Sequence, residues 1–192
     1  MDKMALKANK MIRPARICLF CVLCLFLWTG CEEPAGQKTI KRENEIASEQ
    51  SSDRKIVHLY FSDSDNSFLI SEERSLSALI RPEELGRQIL NALMEGPKRV
   101  LERTIPEGTQ LRGFYILQNH TAYVDLSREI RDHHPGGAKQ ELMTIYSMVN
   151  SLILNIPEIE TVKILVEGKE ETTLAGHVDL RFPLQANMLF MR

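Results

Sequence analysis

Hydrophobic and polar positions change rhythm along the chain, and each rhythm predicts an element. Ile56-Val57-His58-Leu59-Tyr60-Phe61 is a β-rich run closed by the polar cluster Ser62-Asp63-Ser64-Asp65-Asn66. Phe68-Leu69-Ile70 opens a second strand that runs into Glu72-Glu73-Arg74. Pro82 then starts a helix at a position where a missing N–H costs nothing. Leu85, Ile89 and Leu93 repeat every fourth residue, Leu90 and Met94 widen the stripe, and Gly96-Pro97 ends it. Strands are predicted over 110–118 and 121–126, joined by a two-residue Asn119-His120 link, with Asn119 tolerating positive φ. After Pro135-Gly136-Gly137, a second helix carries Leu142, Ile145, Val149 and Leu152 and stops before Pro157. Val162, Ile164 and Val166 alternate along a last strand, 161–167. The order strand, strand, helix, strand, strand, helix, strand predicts an α+β fold. In it a mostly antiparallel or mixed sheet of about five strands carries two amphipathic helices on one face.

Upstream of this region the pattern is different. A basic stretch, residues 1–16, precedes an unbroken apolar run from Ile17 to Trp28, twelve residues long. As a helix it rises about 18 Å, short of a hydrocarbon core roughly 30 Å thick. The layout is that of a secretory signal, followed by Thr29-Gly30-Cys31. This resembles the lipobox of bacterial lipoproteins, which implies cleavage after residue 30 and acylation of Cys31 by fatty acid such as palmitate. Trp28 departs from the usual leucine, which here stands one place earlier as Leu27. Residues 32–54 are polar and poor in large apolar side chains, too little to offset the entropy of ordering. Such a tether spans roughly 25–30 Å as a Gaussian chain. The expected organisation is a signal peptide at 1–30, a lipidated cysteine and linker at 31–54, and one domain at 55–192.

Composition narrows the classes. The chain has 192 residues, with 24 Lys and Arg against 26 Asp and Glu, too even a balance for a nucleic-acid binder. Beyond residue 30 the acids predominate, because Lys3, Lys7, Lys10, Arg13 and Arg16 face only Asp2 before it. All four cysteines, Cys18, Cys21, Cys24 and Cys31, precede the linker. The domain therefore has no disulfide and no thiol chemistry, and must hold together through its core.

Five phrases occur together in a fixed order: Ala92-Leu93-Met94-Glu95-Gly96-Pro97, Ile105-Pro106-Glu107-Gly108-Thr109, Ala122-Tyr123-Val124-Asp125-Leu126-Ser127, Val149-Asn150-Ser151-Leu152 and Gly176-His177-Val178-Asp179-Leu180. In this order they resemble the GerMN domain, the sporulation and spore-germination type domain of bacterial envelope lipoproteins, from about Ile56 to Pro183. The resemblance implies a compact α+β module similar to ring-building motifs, held outside the cytoplasm by lipid. It implies no catalytic residues and no cofactor. The partners it implies are membrane lipid through Cys31 and an envelope protein or a further copy of the chain, with cell-wall glycan as another candidate. Many relatives carry two such domains or an additional one; this sequence has room for one.

Candidate chemistry is sparse. Asp125 ends an alternating strand, where it can hold backbone N–H groups or, with Tyr123, line a cleft for a small ligand such as a wall fragment. His177 and Asp179 would share one side of an extended strand, suited to two metal ligands or to a base with its orienting acid. Adjacent His133 and His134 point apart on regular structure, although a loop can converge them. His120 marks a turn tip. H-E-x-x-H, G-x-S-x-G and a Gly-rich phosphate loop are all missing from the sequence. Ser147 and Ser151 fall among core-facing neighbours on the second helix. Lys98, Arg99, Arg103 and Arg112 make a modest basic set, either a solvated face or a contact for acidic lipid or glycan. The expectation is a non-enzymatic interaction module. Tyr123, Asp125, His177 and Asp179 are its candidate contacts, and a metal-dependent glycan-processing enzyme centred on His177 and Asp179 is the rival.

Overall fold

The computed structural model describes residues 54–77 and 81–192. Cys31, the signal segment and most of the linker lie outside the described residues. Strand β1 (Arg54–Ser62) and strand β2 (Leu69–Ser77) form an antiparallel pair. Helix α1 (Pro82–Glu95) follows, with Pro82 in its first turn and Gly96 closing it at φ 94°. Strands β3 (Leu111–Ile116) and β4 (Thr121–Leu126) come next, then the short helix α2 (Glu129–Asp132) and the long helix α3 (Ala138–Ile153). Strand β5 (Thr161–Val166), the two-residue strand β6 (Lys169–Glu170) and a 3-10 turn at Met188–Phe190 complete the domain. No helix among the described residues is long and apolar enough to cross a membrane.

The fold is α+β, and its strands divide between two sheets, one of two strands and one ordered β3-β4-β5-β6. Within the second, β4 and β5 run parallel, a pairing that requires a crossover, which α2 and α3 supply. The predicted hairpin differs in its turn. Its loop has three residues, Leu117 accepts from the amide of His120, and His120 rather than Asn119 takes positive φ, at 59°.

Both sheets and both long helices share one core. Val57, Leu59 and Phe61 of β1 meet Leu85, Ile89 and Leu93 of α1 and Ile145, Met148, Val149 and Leu152 of α3. Phe114, Val124, Leu126, Ile164 and Val166 complete the core from the larger sheet. Gly86 lies against the Phe114 ring, where a Cβ would overlap it, so α1 reaches the sheet only because this position lacks a side chain.

The reason the strands split is visible on α3. Ser147 and Ser151 on α3, and Asn155 in the turn just after it, recur every fourth residue and bond to the free edge of β1. Ser147 donates to the carbonyl of Tyr60 (2.7 Å), and Ser151 accepts from the Tyr60 amide (3.0 Å). Asn155 accepts from the His58 amide (2.9 Å) and donates to the His58 carbonyl (2.8 Å). A helix face thus satisfies main-chain groups that an adjoining strand would otherwise take.

Candidate functional site

Residue alternation puts the odd-numbered positions of β4 on the sheet face away from the core. Register aligns Tyr115, Tyr123 and Lys163 across β3, β4 and β5, and Gly113, Asp125 and Leu165 beside them. Tyr115 is 58% exposed and Tyr123 is half-buried, so this face presents aromatic surface. Asp125 accepts from the Gly168 amide (2.7 Å), while Arg112 lies 3.9 Å from its second oxygen. Gly168 and Glu167 form the β5–β6 turn with φ of 72° and 53°. Asp125 therefore fastens a tight turn, the main-chain role its strand-end position allows. Lys163, on the same face, is buried because its Nζ donates to the carbonyls of Leu180 (3.0 Å) and Arg181 (2.6 Å) and pairs with Glu170 (3.1 Å).

His177 and Asp179 do not share a strand. The stretch from 172 to 179 is irregular, and each side chain has its own partner. Asp179 is held by Arg181, through the backbone amide (3.0 Å) and the guanidinium (3.0 and 2.8 Å). That side-chain pairing, assisted by the amide, pulls its carboxyl down to about 2. His177 is bound through its amide (2.8 Å) and Nδ1 (3.1 Å) to one oxygen of Glu141, whose other oxygen accepts from Leu174 (2.9 Å) and Ala175 (2.8 Å). Glu141 is fully buried. Burial pushes its carboxyl upward, but the converging amides of Ala175, His177, Val178 and Leu174 outweigh this and hold it below the ordinary value.

The other histidines are similarly occupied. Nδ1 of His133 meets the carbonyl of Glu107 (2.9 Å). Nδ1 of His134 accepts from the Gly136 amide (3.0 Å), so Nε2 carries the proton and donates to Thr144 Oγ1 (3.2 Å). Burial lowers the pKa of His134, as does neighbouring His177, against opposing contributions from Glu141 and the Gln140 backbone. No hydrogen bond or ion pair joins any two of Tyr123, Asp125, His177 and Asp179. Among the described residues, no three His, Cys, Asp or Glu side chains are grouped to hold a metal ion.

The basic set is dispersed as well. Arg103 caps the C-terminal carbonyls of α1, donating to Met94 and Glu95, and Arg112 pairs with Glu167 at 3.0 Å. Lys98 and Arg99 present backbone amides to buried Glu72, at 3.0 and 2.8 Å, and Glu72 also pairs with Arg74. Burial drives the Glu72 carboxyl up, and those amides with Arg74 bring it below its usual value.

The residues that organise this region are ones the pattern did not single out. Glu141 follows Pro135-Gly136-Gly137 in the first turn of α3, where an acid reads as an ordinary helix-start residue. Tyr115 and Arg87 also escaped notice. Arg87 donates to the Phe114 carbonyl (2.9 Å) and lies 6.0 Å from the centre of the Tyr115 ring.

The domain is thus α+β, with aromatic side chains on its outer sheet face and buried acids that bind backbone. Residues 58–172 match the family described as "Sporulation and spore germination" (Germane), and the chain belongs to that family. Two solved GerMN structures agree on the fold. The tandem GerMN domains of the sporulation protein GerM from Bacillus subtilis share 20% identity over 69% of this chain and 46% of that one, with a TM-score of 0.57. The first GerMN domain of the same protein shares 18% over 69% of this chain and 98% of that one, with a TM-score of 0.54. A Clostridium perfringens protein shares 27% identity over 69% of this chain and 87% of that one, with a TM-score of 0.49. The chain thus spans about half of the tandem protein and nearly all of the single domain. No curated protein matches the chain.

Proposed function

We propose that this protein is a non-enzymatic interaction module of the bacterial cell envelope, tethered to a membrane by acylated Cys31. The family supports the envelope setting, and the short apolar run before Cys31 supports the anchor. The observation that carries the reading is how the polar groups are used. Asp125, Glu141, His177 and Asp179 each hold main chain or a neighbouring ion pair, whereas Tyr115 stands exposed on the outer sheet face beside half-buried Tyr123. Groups committed to backbone cannot also bind and release a reacting atom without local unfolding, while an aromatic face is suited to docking. The mechanism is positional: lipid fixes the chain at the membrane, the linker sets the reach and the domain engages a partner. The test is turnover of envelope polymers by the purified protein. Hydrolysis abolished by His177→Ala would refute the proposal.

A second reading rests on the same face. Tyr115 and Tyr123 stand side by side in register, an arrangement that suits the flat face of a sugar ring. A wall fragment that raises the melting temperature, with the effect lost in Tyr123→Ala, would favour this reading.

A further inference from the structure

We infer that the free edge of β2 is a docking site for an extended segment of a partner protein, which joins the sheet as an added strand. The inference rests on the interaction-module reading and gives it a surface and a kind of partner. A strand edge without a neighbour offers unpaired N–H and C=O groups. Strand addition draws its affinity from those groups and its specificity from alternate side chains.

Alternation fixes which groups of β2 face away from β1. Ser62, Tyr60 and His58 commit their main-chain groups outside the β1–β2 ladder, to Glu102, to Ser147 with Ser151, and to Asn155. Across the ladder they pair with Leu69, Ser71 and Glu73, and in an antiparallel sheet both members of such a pair face outward. Leu69 agrees: its carbonyl accepts from the Arg192 amide, and Met191 pairs with it in parallel. The edge therefore already takes a strand at its first residue. Ser75 continues the two-residue period. Glu73 and Ser75 are exposed, and among the described residues nothing bonds to their outward main-chain groups.

This edge forms one wall of a groove of about 500 Å³, and a stripe of α1, Gln88, Asn91, Ala92 and Glu95, forms the other. Buried Arg74 fixes the width, because it pairs with Glu72 and donates to the Gly96 carbonyl just past the helix (2.9 Å). The carboxamides of Gln88 and Asn91 can both donate and accept. An antiparallel segment places one residue opposite Glu73 and another opposite Ser75, on the outer face of the sheet. The Glu73 carboxylate favours lysine or arginine opposite it. The residue between them turns inward beside Arg74, whose charge Glu72 already neutralises, so a short uncharged side chain suits that position. Arg54 and Lys98 line the groove too, but neither stands on the edge itself. The segment that fits is extended, with basic residues at alternate positions and small polar ones between.

The experiment measures amide exchange in the full chain in detergent, with and without the blocked peptide acetyl-Thr-Lys-Thr-Lys-Thr-Lys-Thr-amide. The Glu73 and Ser75 amides should exchange rapidly in the chain alone and about tenfold or more slowly at saturating peptide. Methylating the lysine main-chain nitrogens should abolish the protection, since those N–H groups face β2. Ser75→Pro should abolish it at Glu73 while leaving the β1–β2 ladder intact, because the lost N–H points outward. Glu73→Lys should shift preference about fivefold toward the counterpart peptide with glutamate for lysine. Slow exchange in the chain alone would overturn the inference. At every concentration it would put residues 31–53 of the same chain on the edge; at high concentration only, a second copy. Fast exchange at about 1 mM peptide, or undiminished protection in Ser75→Pro, would overturn it as well. If the edge stays unprotected while an envelope protein is crosslinked to the chain in cells, this inference fails and the module reading stands. Without a crosslinked partner either, both fail.

Discussion

Replacing Glu141 with glutamine removes one charge and almost no volume, so it isolates what the buried carboxylate does. The carboxylate accepts four hydrogen bonds, from the amides of Leu174, Ala175 and His177 and from His177 Nδ1, at 2.8–3.1 Å. Glutamine keeps one acceptor oxygen, which can retain Leu174 and Ala175 as neutral rather than charge-assisted bonds. Its NH2 group can donate to a neutral His177 ring but must leave the His177 amide without an acceptor. An orphaned buried amide costs about 1–3 kcal/mol, and each charge-assisted bond reduced to a neutral one loses about 1 kcal/mol more. The expected destabilisation is about 3–5 kcal/mol for Glu141→Gln and larger for Glu141→Ala, which orphans all three amides, a large part of an ordinary domain's stability. Urea denaturation at pH 7 measures the total, and amide exchange at Leu174, Ala175 and His177 locates it. The sign with pH is also fixed. Since the Glu141 carboxyl is held below its ordinary value, its stabilisation is complete above the unfolded carboxyl range and is lost as pH falls through the lower folded value. A Glu141→Gln protein within about 0.5 kcal/mol of the parent, with those amides equally protected, would refute the reasoning.

Other outcomes follow from the same bonds. Asn155→Ala strips acceptor and donor from His58 on the β1 edge and should cost about 2–3 kcal/mol, read by urea denaturation; an effect near zero would mean water replaces the side chain. His134 has a folded pKa depressed by burial, so its contribution is complete above about pH 6.5 and declines as pH falls through the folded value. His134→Gln should flatten the stability–pH curve in that window, which opens at a higher pH than the window set by Glu141 and Glu72. Cys31→Ser should move the protein from the membrane to the soluble fraction on cell fractionation. Retention in the membrane would point to the apolar run as an uncleaved anchor.

The elements with strong punctuation were legible in the sequence. Pro82 and Gly96 bound α1 as the pattern requires, and the alternation of Val162, Ile164 and Val166 marks β5. The division into two sheets was not, because it depends on side chains pairing with a strand edge. Ser147, Ser151 and Asn155 stand at helical spacing, but nothing in spacing alone says that a polar stripe inside a core faces backbone. Glu141 was illegible for a related reason: its amide partners lie 33 to 36 residues away in an irregular segment, where periodicity carries no signal. The same irregularity undid the shared face expected for His177 and Asp179, since a two-residue repeat aligns side chains only on an extended strand.

The central claim is that this protein works by docking while held at a membrane. In-cell crosslinking, detergent extraction of the lipidated protein and mass spectrometry of what it carries test that claim most directly. The account predicts one dominant envelope protein or a ladder of crosslinked copies, diminished when a charge is introduced at Tyr115. Recovery of uncrosslinked monomer alone, under conditions that capture other envelope complexes, would contradict it.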